Sequence, residues 1–237
     1  MTLPFRFKEF SVSDQGCGMK LSSDAVLLGA YSKPPSSGRI LDIGCGCGVL
    51  SLMMAQQSNH AIIDAVEINE AAAKQARENF IYSQWPERIQ IFHSPIQEFA
   101  EKTTHTYDCI ISNPPYFHNQ LKSANPDFTQ SKHTEELDHH DLCSVVSKLL
   151  HERGLFWVIL PAGERRAFLI KALQNGLFCK KMLSIFDKAG KPPVRNIFCL
   201  EKNPVTTAVW EDLIIKSASD EYTDGYIELT KDFYLSF

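Results

Sequence analysis

Arg39-Ile40-Leu41-Asp42-Ile43-Gly44-Cys45-Gly46-Cys47-Gly48-Val49 is the stretch that decides the fold. Ile40 to Ile43 is a short apolar run, broken by Asp42, that reads as a buried strand. Three glycines at alternate positions then turn the chain, and Val49 to Gln57 begins an apolar helix. A strand that ends in a glycine turn and opens a helix is the first half of a βαβ unit. Ala61 to Ile68 supplies its second strand, followed by an Ala-rich helix over Glu70 to Ser83 with Ala72, Ala76, Phe80 and Ile81 on one side. Glycine permits positive φ and close approach of a ligand to the backbone, and the helix start aims N–H groups at the same place.

The alternation continues outward from this unit. Arg88 to Phe92 and Tyr107 to Ser112 are predicted as the third and fourth strands, Leu137 to His151 as a helix stopped at Gly154, and Leu155 to Leu160 as the fifth strand. Glu164 to Asn175 is predicted helical, with Gly176 as its stop. Leu177 to Phe186 and Val194 to Glu201, joined by Gly190-Lys191-Pro192-Pro193, read as an antiparallel pair on one edge, and a helix from Asp224 to Tyr234 closes the chain. On the N-terminal side, Ser22 or Ser23 is a cap for a helix starting near Asp24. The expected fold class is α/β, with a mostly parallel sheet and helices on both faces. Residues 1–237 are expected to form one domain with a short N-terminal extension, 1–38. Phe117 to Thr134 is polar, contains Pro126 and shows no period, the pattern of a lid or binding loop.

Composition narrows the class. The chain has 237 residues, 44% hydrophobic and 22% charged, which excludes a disordered, collagen-like or disulfide-stapled protein. Runs such as Leu155 to Leu160 are far shorter than the ~18 residues of a membrane span, and Met1 to Phe10 has no apolar leader core, so a cytoplasmic protein is expected. Seven cysteines without a Cys-x-x-Cys pair read as reduced thiols, and His139-His140 offers no metal spacing, so no metal is expected. The formal net charge is -4, yet Pro161 to Lys202 holds nine basic against three acidic residues. That stretch, from Arg165 on, with Arg6, Lys8 and Lys20, is the candidate for contact with a polyanion; a solvated face is the bland alternative.

Two constellations carry chemistry. In the first, Asp42 precedes Gly44, Gly46 and Gly48, and Glu67 ends the next strand, where a carboxylate can accept hydrogen bonds from both hydroxyls of a ribose. The spacing is G-x-G-x-G, whereas the dinucleotide fingerprint is G-x-G-x-x-G. The glycines alone are also compatible with a tight turn that holds no ligand. In the second, Ser112-Asn113-Pro114-Pro115-Tyr116 closes the fourth strand. Consecutive prolines fix φ and donate no N–H, so the carbonyls of Asn113 and Pro114 are held outward as acceptors. An Asn oxygen plus a main-chain oxygen can take both hydrogens of a planar amino group while the Tyr116 ring stacks on its plane. Such bonds would stabilise positive charge developing on that nitrogen during attack.

Asp42 to Gly48 with Glu67 resembles the S-adenosylmethionine site of class I methyltransferases, and Asn-Pro-Pro-Tyr resembles the amino-methyltransferases acting on adenine N6 or glutamine N5. A longer series resembles one family along almost the whole chain: F-x-F-K-x-F at Phe5, M-K-x-x-x-D-x-x-L-L-G-A at Met19, D-A-V-E at Asp64, Leu137-Asp138-His139 and the terminal Y-x-x-L-T-x-x-F-Y-L. It is the family of tRNA (adenine-N6)-methyltransferases that modify adenine 37 beside the anticodon of valine tRNA 1. The resemblance implies a class I methyltransferase, Rossmann-like fold with a seven-stranded sheet and one antiparallel edge strand, S-adenosylmethionine as cofactor and tRNA as substrate. It implies cofactor contacts from Lys20, Asp24, Asp42, Gly44, Gly46, Gly48, Glu67, Ile68, Ile96 and Asn113. Asn113, Pro114 and Tyr116 would act at methyl transfer, and Pro115, Tyr116, Phe117, Arg6, Lys8 and Arg195 would contact the substrate. Pro95 departs from the pattern, standing where the family has an acidic residue for the cofactor's adenine, with the Ile96 backbone or Gln97 as substitutes. Asp138 and His139 are expected to pack or cap, and a monomer is the default. The alternatives are a glutamine N5-methyltransferase, whose helical domain has too little room in the 41 residues before Asp42, an rRNA amino-methyltransferase, and a non-catalytic binding module.

Overall fold

The computed structural model describes residues 3–18, 20–115 and 138–236. The predicted loop over Phe117 to Thr134 lies outside them, as do Met19, Tyr116 and Leu137. A short hairpin, β1 (Phe5–Arg6) and β2 (Ser11–Val12), precedes α1 (Ser23–Tyr31), whose first turn is capped by the Ser22 side chain accepting from the Ala25 N–H. The deciding stretch forms β3 (Arg39–Ile43) and α2 (Val49–Gln57), followed by β4 (Ile62–Glu67), α3 (Glu70–Ile81), β5 (Ile89–His93), α4 (Ile96–Lys102) and β6 (Tyr107–Ser112). After the undescribed segment come α5 (His139–Leu149), β7 (Leu150–Pro161), α6 (Arg165–Gln174), β8 (Phe178–Lys188), β9 (Arg195–Glu201), β10 (Val209–Lys216) and α7 (Asp224–Thr230).

The main sheet runs β10-β8-β9-β7-β6-β3-β4-β5, and β9 alone is antiparallel to both its neighbours. The mostly parallel α/β plan is therefore as expected, with two corrections. Among the described residues the sheet has eight strands rather than seven, and the antiparallel strand lies inside it, between β7 and β8, because β10 pairs parallel with β8 and takes the edge. β10 was illegible because its Glu211-Asp212 pair breaks the apolar run of a strand that is half exposed.

Both faces of the sheet are covered, which is why its strands read as apolar runs rather than alternations. Ile40, Ile63, Ala65 and Ile111 pack with α1, α2 and α3 on one face; Leu41, Ile43, Val66 and Ile110 pack with α4, α5 and α6 on the other. A buried polar knot pins three strands at the amino end: Asp64 accepts from Tyr107 Oη at 2.7 Å and from Arg39 Nη1 at 3.0 Å.

The predicted helix over 137–151 is also shorter. Asp138 caps it, and α5 ends at Leu149, where the chain passes directly into β7. Gly154 is a strand residue at an irregularity, since Tyr107 pairs with Leu150 but Cys109 pairs with Leu155. A Cβ there would lie 2.8 Å from the Tyr107 carbonyl oxygen, so glycine serves the bulge and not a helix cap. The two aromatic terminal motifs meet: Phe7 bridges Tyr234, their rings are stacked at 6.0 Å, and the Lys8 N–H donates to the Phe233 carbonyl at 2.9 Å.

Candidate functional site

The chain moves from β3 outward to β4 and β5, then returns to β6 on the other side of β3. The carboxyl ends on either side of such a reversal splay apart and leave a crevice. Here it is a cavity of about 430 Å³, within the range of a small-molecule site. Gly44 and Gly46 after β3, Glu67 and Ile68 after β4, Ile96 after β5, and Asn113, Pro114 and Pro115 after β6 all line it.

Its floor is tightly held. Gly44 and Gly46 have φ of +69° and +55°, and a Cβ on either would meet nothing within 4 Å, so both leave open space on the cavity side. Gly48, with φ +84°, differs: its Cβ would fall 2.3 Å from the Phe80 ring, so it is required for packing against α3 and does not line the cavity. The Glu67 carboxylate accepts from the Gly46 N–H and from the Asn69 N–H, each at 2.8 Å, tying the end of β4 to the glycine loop. Asn79 of α3 ties a third segment: its amide donates to the carbonyls of Cys47 at 2.8 Å and Ser13 at 2.9 Å, while its oxygen accepts from the Ser13 N–H. This brings Cys17 and Gly18 onto the cavity wall. The Cys17 thiol is hydrogen-bonded to Cys47, which holds it below the ordinary thiol pKa.

Asp42 lies beneath the loop, fully buried. Ser51 Oγ donates to its Oδ2 at 2.7 Å, while Oδ1 is buried with no hydrogen-bond partner among the described residues. Desolvation, reinforced by the charge of Glu67, pushes its pKa up to about 7 despite the Ser51 hydrogen bonds. On the β6 side, Ser112 Oγ donates to the Ile43 carbonyl at 2.9 Å, locking the start of the Pro-Pro turn to the end of β3.

Seven of the predicted site residues do not line the cavity: Asp42 is wholly buried beneath the loop, Gly48 packs on Phe80, and five lie elsewhere. Asp24 and Arg195, expected to contact cofactor and substrate respectively, pair with each other, Arg195 Nε to Asp24 Oδ2 at 2.8 Å, joining α1 to β9. Lys20 donates to the Asp14 carbonyl at 3.0 Å, and Lys8 to the Lys231 carbonyl at 2.5 Å; Arg6 is exposed on β1, and none of these five lines the cavity. Sequence spacing could not foresee these partners, which are brought together by the fold across up to 223 positions. The basic excess of 161–202 is locally offset as well: Lys180 pairs with Glu201, Lys181 with Glu211, Lys188 with Asp220 and Lys202 with Glu152. Tyr116 and Phe117 lie outside the described residues.

Sequence reasoning missed Cys17, Asn69 and Asp141 on the wall, and Pro95 proves to be the N-cap of α4, with no side-chain cap bond. Asp138 and His139 fulfil their expected roles: Asp138 accepts from the Asp141 N–H at 2.8 Å, and His139 Nε2 lies 2.9 Å from Glu164. No group of three potential metal ligands occurs among the described residues, and no helix among them is long and apolar enough to cross a membrane.

A carboxylate able to take a ribose and an Asn-Pro turn able to take an amino group thus open on one cavity. The chain matches the model of the methyltransferase small domain over residues 20–175. It is 41% identical to a tRNA1(Val) (adenine(37)-N6)-methyltransferase of Phocaeicola vulgatus, covering 98% of this chain and 97% of that one. It is 37% identical to the protein of that name from Cronobacter sakazakii, covering 98% and 94%. Among solved structures, a predicted O-methyltransferase of Agrobacterium tumefaciens superposes with TM-score 0.67 at 18% identity, covering 88% and 96%, a likeness of fold.

Proposed function

Because this chain belongs to the tRNA1(Val) (adenine(37)-N6)-methyltransferase family, within the methyltransferase small-domain class, we propose that it transfers a methyl group from S-adenosylmethionine to N6 of adenine 37 in that tRNA. The observation that carries the reading is the shared cavity: Glu67 and the open faces of Gly44 and Gly46 stand at one part of it, Asn113 and Pro114 at another. S-adenosylmethionine fits these residues, since a Cβ at either glycine would take up space the ligand needs. When bound, the cofactor supplies a methyl group made electrophilic by its sulfonium.

The chain's own residues do the rest. Glu67 is placed to accept from the ribose hydroxyls, and Asn113 Oδ1 with the Pro114 carbonyl to accept the two hydrogens of the adenine amino group. These acceptors orient the nitrogen lone pair and stabilise the charge that grows on it, so no strong base is needed before transfer. Adenine 37 must leave the anticodon stack to reach them, and Pro115 with the aromatic residues Tyr116 and Phe117 would receive the unstacked base. We place the reaction in the cytoplasm, on a monomer, with 1–237 acting as one domain.

The test is methyl transfer from labelled S-adenosylmethionine to unmodified tRNA, followed by nucleoside mass spectrometry. N6-methyladenosine at position 37 of valine tRNA 1 is expected. Labelled glutamine in a protein, or label confined to rRNA, would overturn the substrate assignment while keeping the acceptor chemistry.

A further inference from the structure

Among the described residues, the cavity wall holds one carboxylate to which the reading above gives no task, that of Asp141. It stands in the first turn of α5, and neighbours hold that turn from several directions. Asp138 caps it through the Asp141 backbone N–H; His139 meets Glu164 and lies edge-on to the Phe168 ring at 5.5 Å; and the Asn175 amide lies 3.3 Å from the His140 ring nitrogen. Both histidines are thus braced by residues flanking or within α6. The exposed Asp141 side chain takes no part in this bracing, and a braced backbone presents such a group at a fixed place.

That place has a chemical meaning. The carboxyl ends of β6, β3, β4 and β5 follow one another across the cavity. With its ribose at Glu67, a cofactor lying across the cavity would carry its purine toward Ile68 and Ile96, which line the wall after β4 and at the start of α4. α5 packs directly against α4 on the same face of the sheet, so Asp141 reaches the cavity beside the start of α4. Other acceptors there are fewer than they look. The Pro95 side chain cannot accept, and its carbonyl already receives Ser94 Oγ at 3.0 Å and the Phe99 N–H at 3.1 Å. Among the described residues, Gln97 and Asp141 line the cavity wall on this side, and a carboxylate is a stronger acceptor than an amide oxygen.

We infer that Asp141 accepts a hydrogen bond from the exocyclic 6-amino group of the cofactor's adenine, making it the residue that selects a 6-aminopurine nucleoside. The inference rests on the cofactor reading above. A 6-oxo purine would face the carboxylate with a second acceptor and be rejected, and a purine without a 6-substituent would gain no hydrogen bond from it.

Calorimetric titration tests it with S-adenosylhomocysteine, its 6-oxo analogue and its 6-unsubstituted purine analogue as probes. The natural chain should prefer S-adenosylhomocysteine over the 6-unsubstituted analogue by about tenfold or more. Asp141→Ala should bring the two affinities together, through loss on S-adenosylhomocysteine alone, and Asp141→Asn should retain part of the preference through its amide oxygen. Unchanged affinity of Asp141→Ala for the 6-unsubstituted analogue shows that the pocket is intact, a readout that a structural role would not leave in place. Discrimination surviving in Asp141→Ala, or lost instead in Gln97→Ala, overturns the inference, as does a natural chain that binds all three probes alike. Failure of the natural chain to bind S-adenosylhomocysteine overturns the cofactor reading itself, and the inference with it.

Discussion

Asp42→Asn tests the electrostatics beneath the glycine loop. The carboxyl of Asp42 is 0% exposed, and burial raises its pKa from 3.8 to about 7. The native state therefore holds a proton that the unfolded chain releases near pH 4. Between those two values the folded form binds more protons, so stability falls as pH rises and levels off above pH 7. A displacement of about three units corresponds to roughly 4 kcal/mol, approached at a limiting slope of about 1.4 kcal/mol per pH unit. Asn is nearly isosteric, remains neutral and can keep a hydrogen bond to Ser51, so the variant should lose this component. The assay is urea unfolding of ligand-free protein, natural and Asp42→Asn, at pH 4.5, 5.5, 6.5 and 7.5, with circular dichroism as the readout. The two proteins differ at this side chain alone, so the stability difference reports Asp42 together with its coupling to Glu67 and should move in favour of the variant as pH rises. Parallel stability curves, or a difference moving the other way, would refute the assignment of a raised pKa to this carboxyl.

Asn113→Ala should lower the rate constant for methyl transfer by about a hundredfold or more, comparable to deleting one preorganised hydrogen-bonding group at a reacting centre, with S-adenosylhomocysteine affinity little changed. Near-normal turnover would rule out the acceptor role. Gly46→Ala and Gly48→Ala should separate in kind: the first should lose cofactor affinity in titration calorimetry while remaining folded, because its methyl enters the cavity. Both variants carry the strain of a positive φ, but the second should lose about 1–3 kcal/mol more in denaturant melts through overlap with the Phe80 ring, and equal melting of the two would contradict the division. Asp24 and Arg195, whose side chains are 15% and 30% exposed, should show a coupling of about 1 kcal/mol in a double-mutant cycle of unfolding free energies. Zero coupling would return both residues to consideration as ligand contacts.

Much of the fold was legible because its signals are local. The run Ile40 to Ile43, the glycines after it and the Ala-rich helix of α3 each express a period or a turn preference within a few residues. The glycine loop, Glu67 and the Asn-Pro-Pro turn were legible for the same reason, since each is a contiguous motif at a strand end. β10 was not, because an edge strand of Val-Trp-Glu-Asp pattern owes its pairing to β8 rather than to its own residues. Gly154 misled because glycine marks both helix stops and bulges, and the pairing of Tyr107 with Leu150 was needed to decide between them.

The sequence by itself determined the α/β plan, the residues at the ends of β3, β4 and β6, and hence the chemical class of the site, since backbone preferences and side-chain chemistry act over short range. Tertiary structure alone decided which charges remain for a ligand. Arg195 and Asp24 are 171 positions apart and pair with each other, Lys8 spends its ammonium on a distant carbonyl, and Asp141 reaches the cavity because α5 packs on α4. Long-range electrostatic partners follow from the packing of whole elements, and no local pattern encodes them.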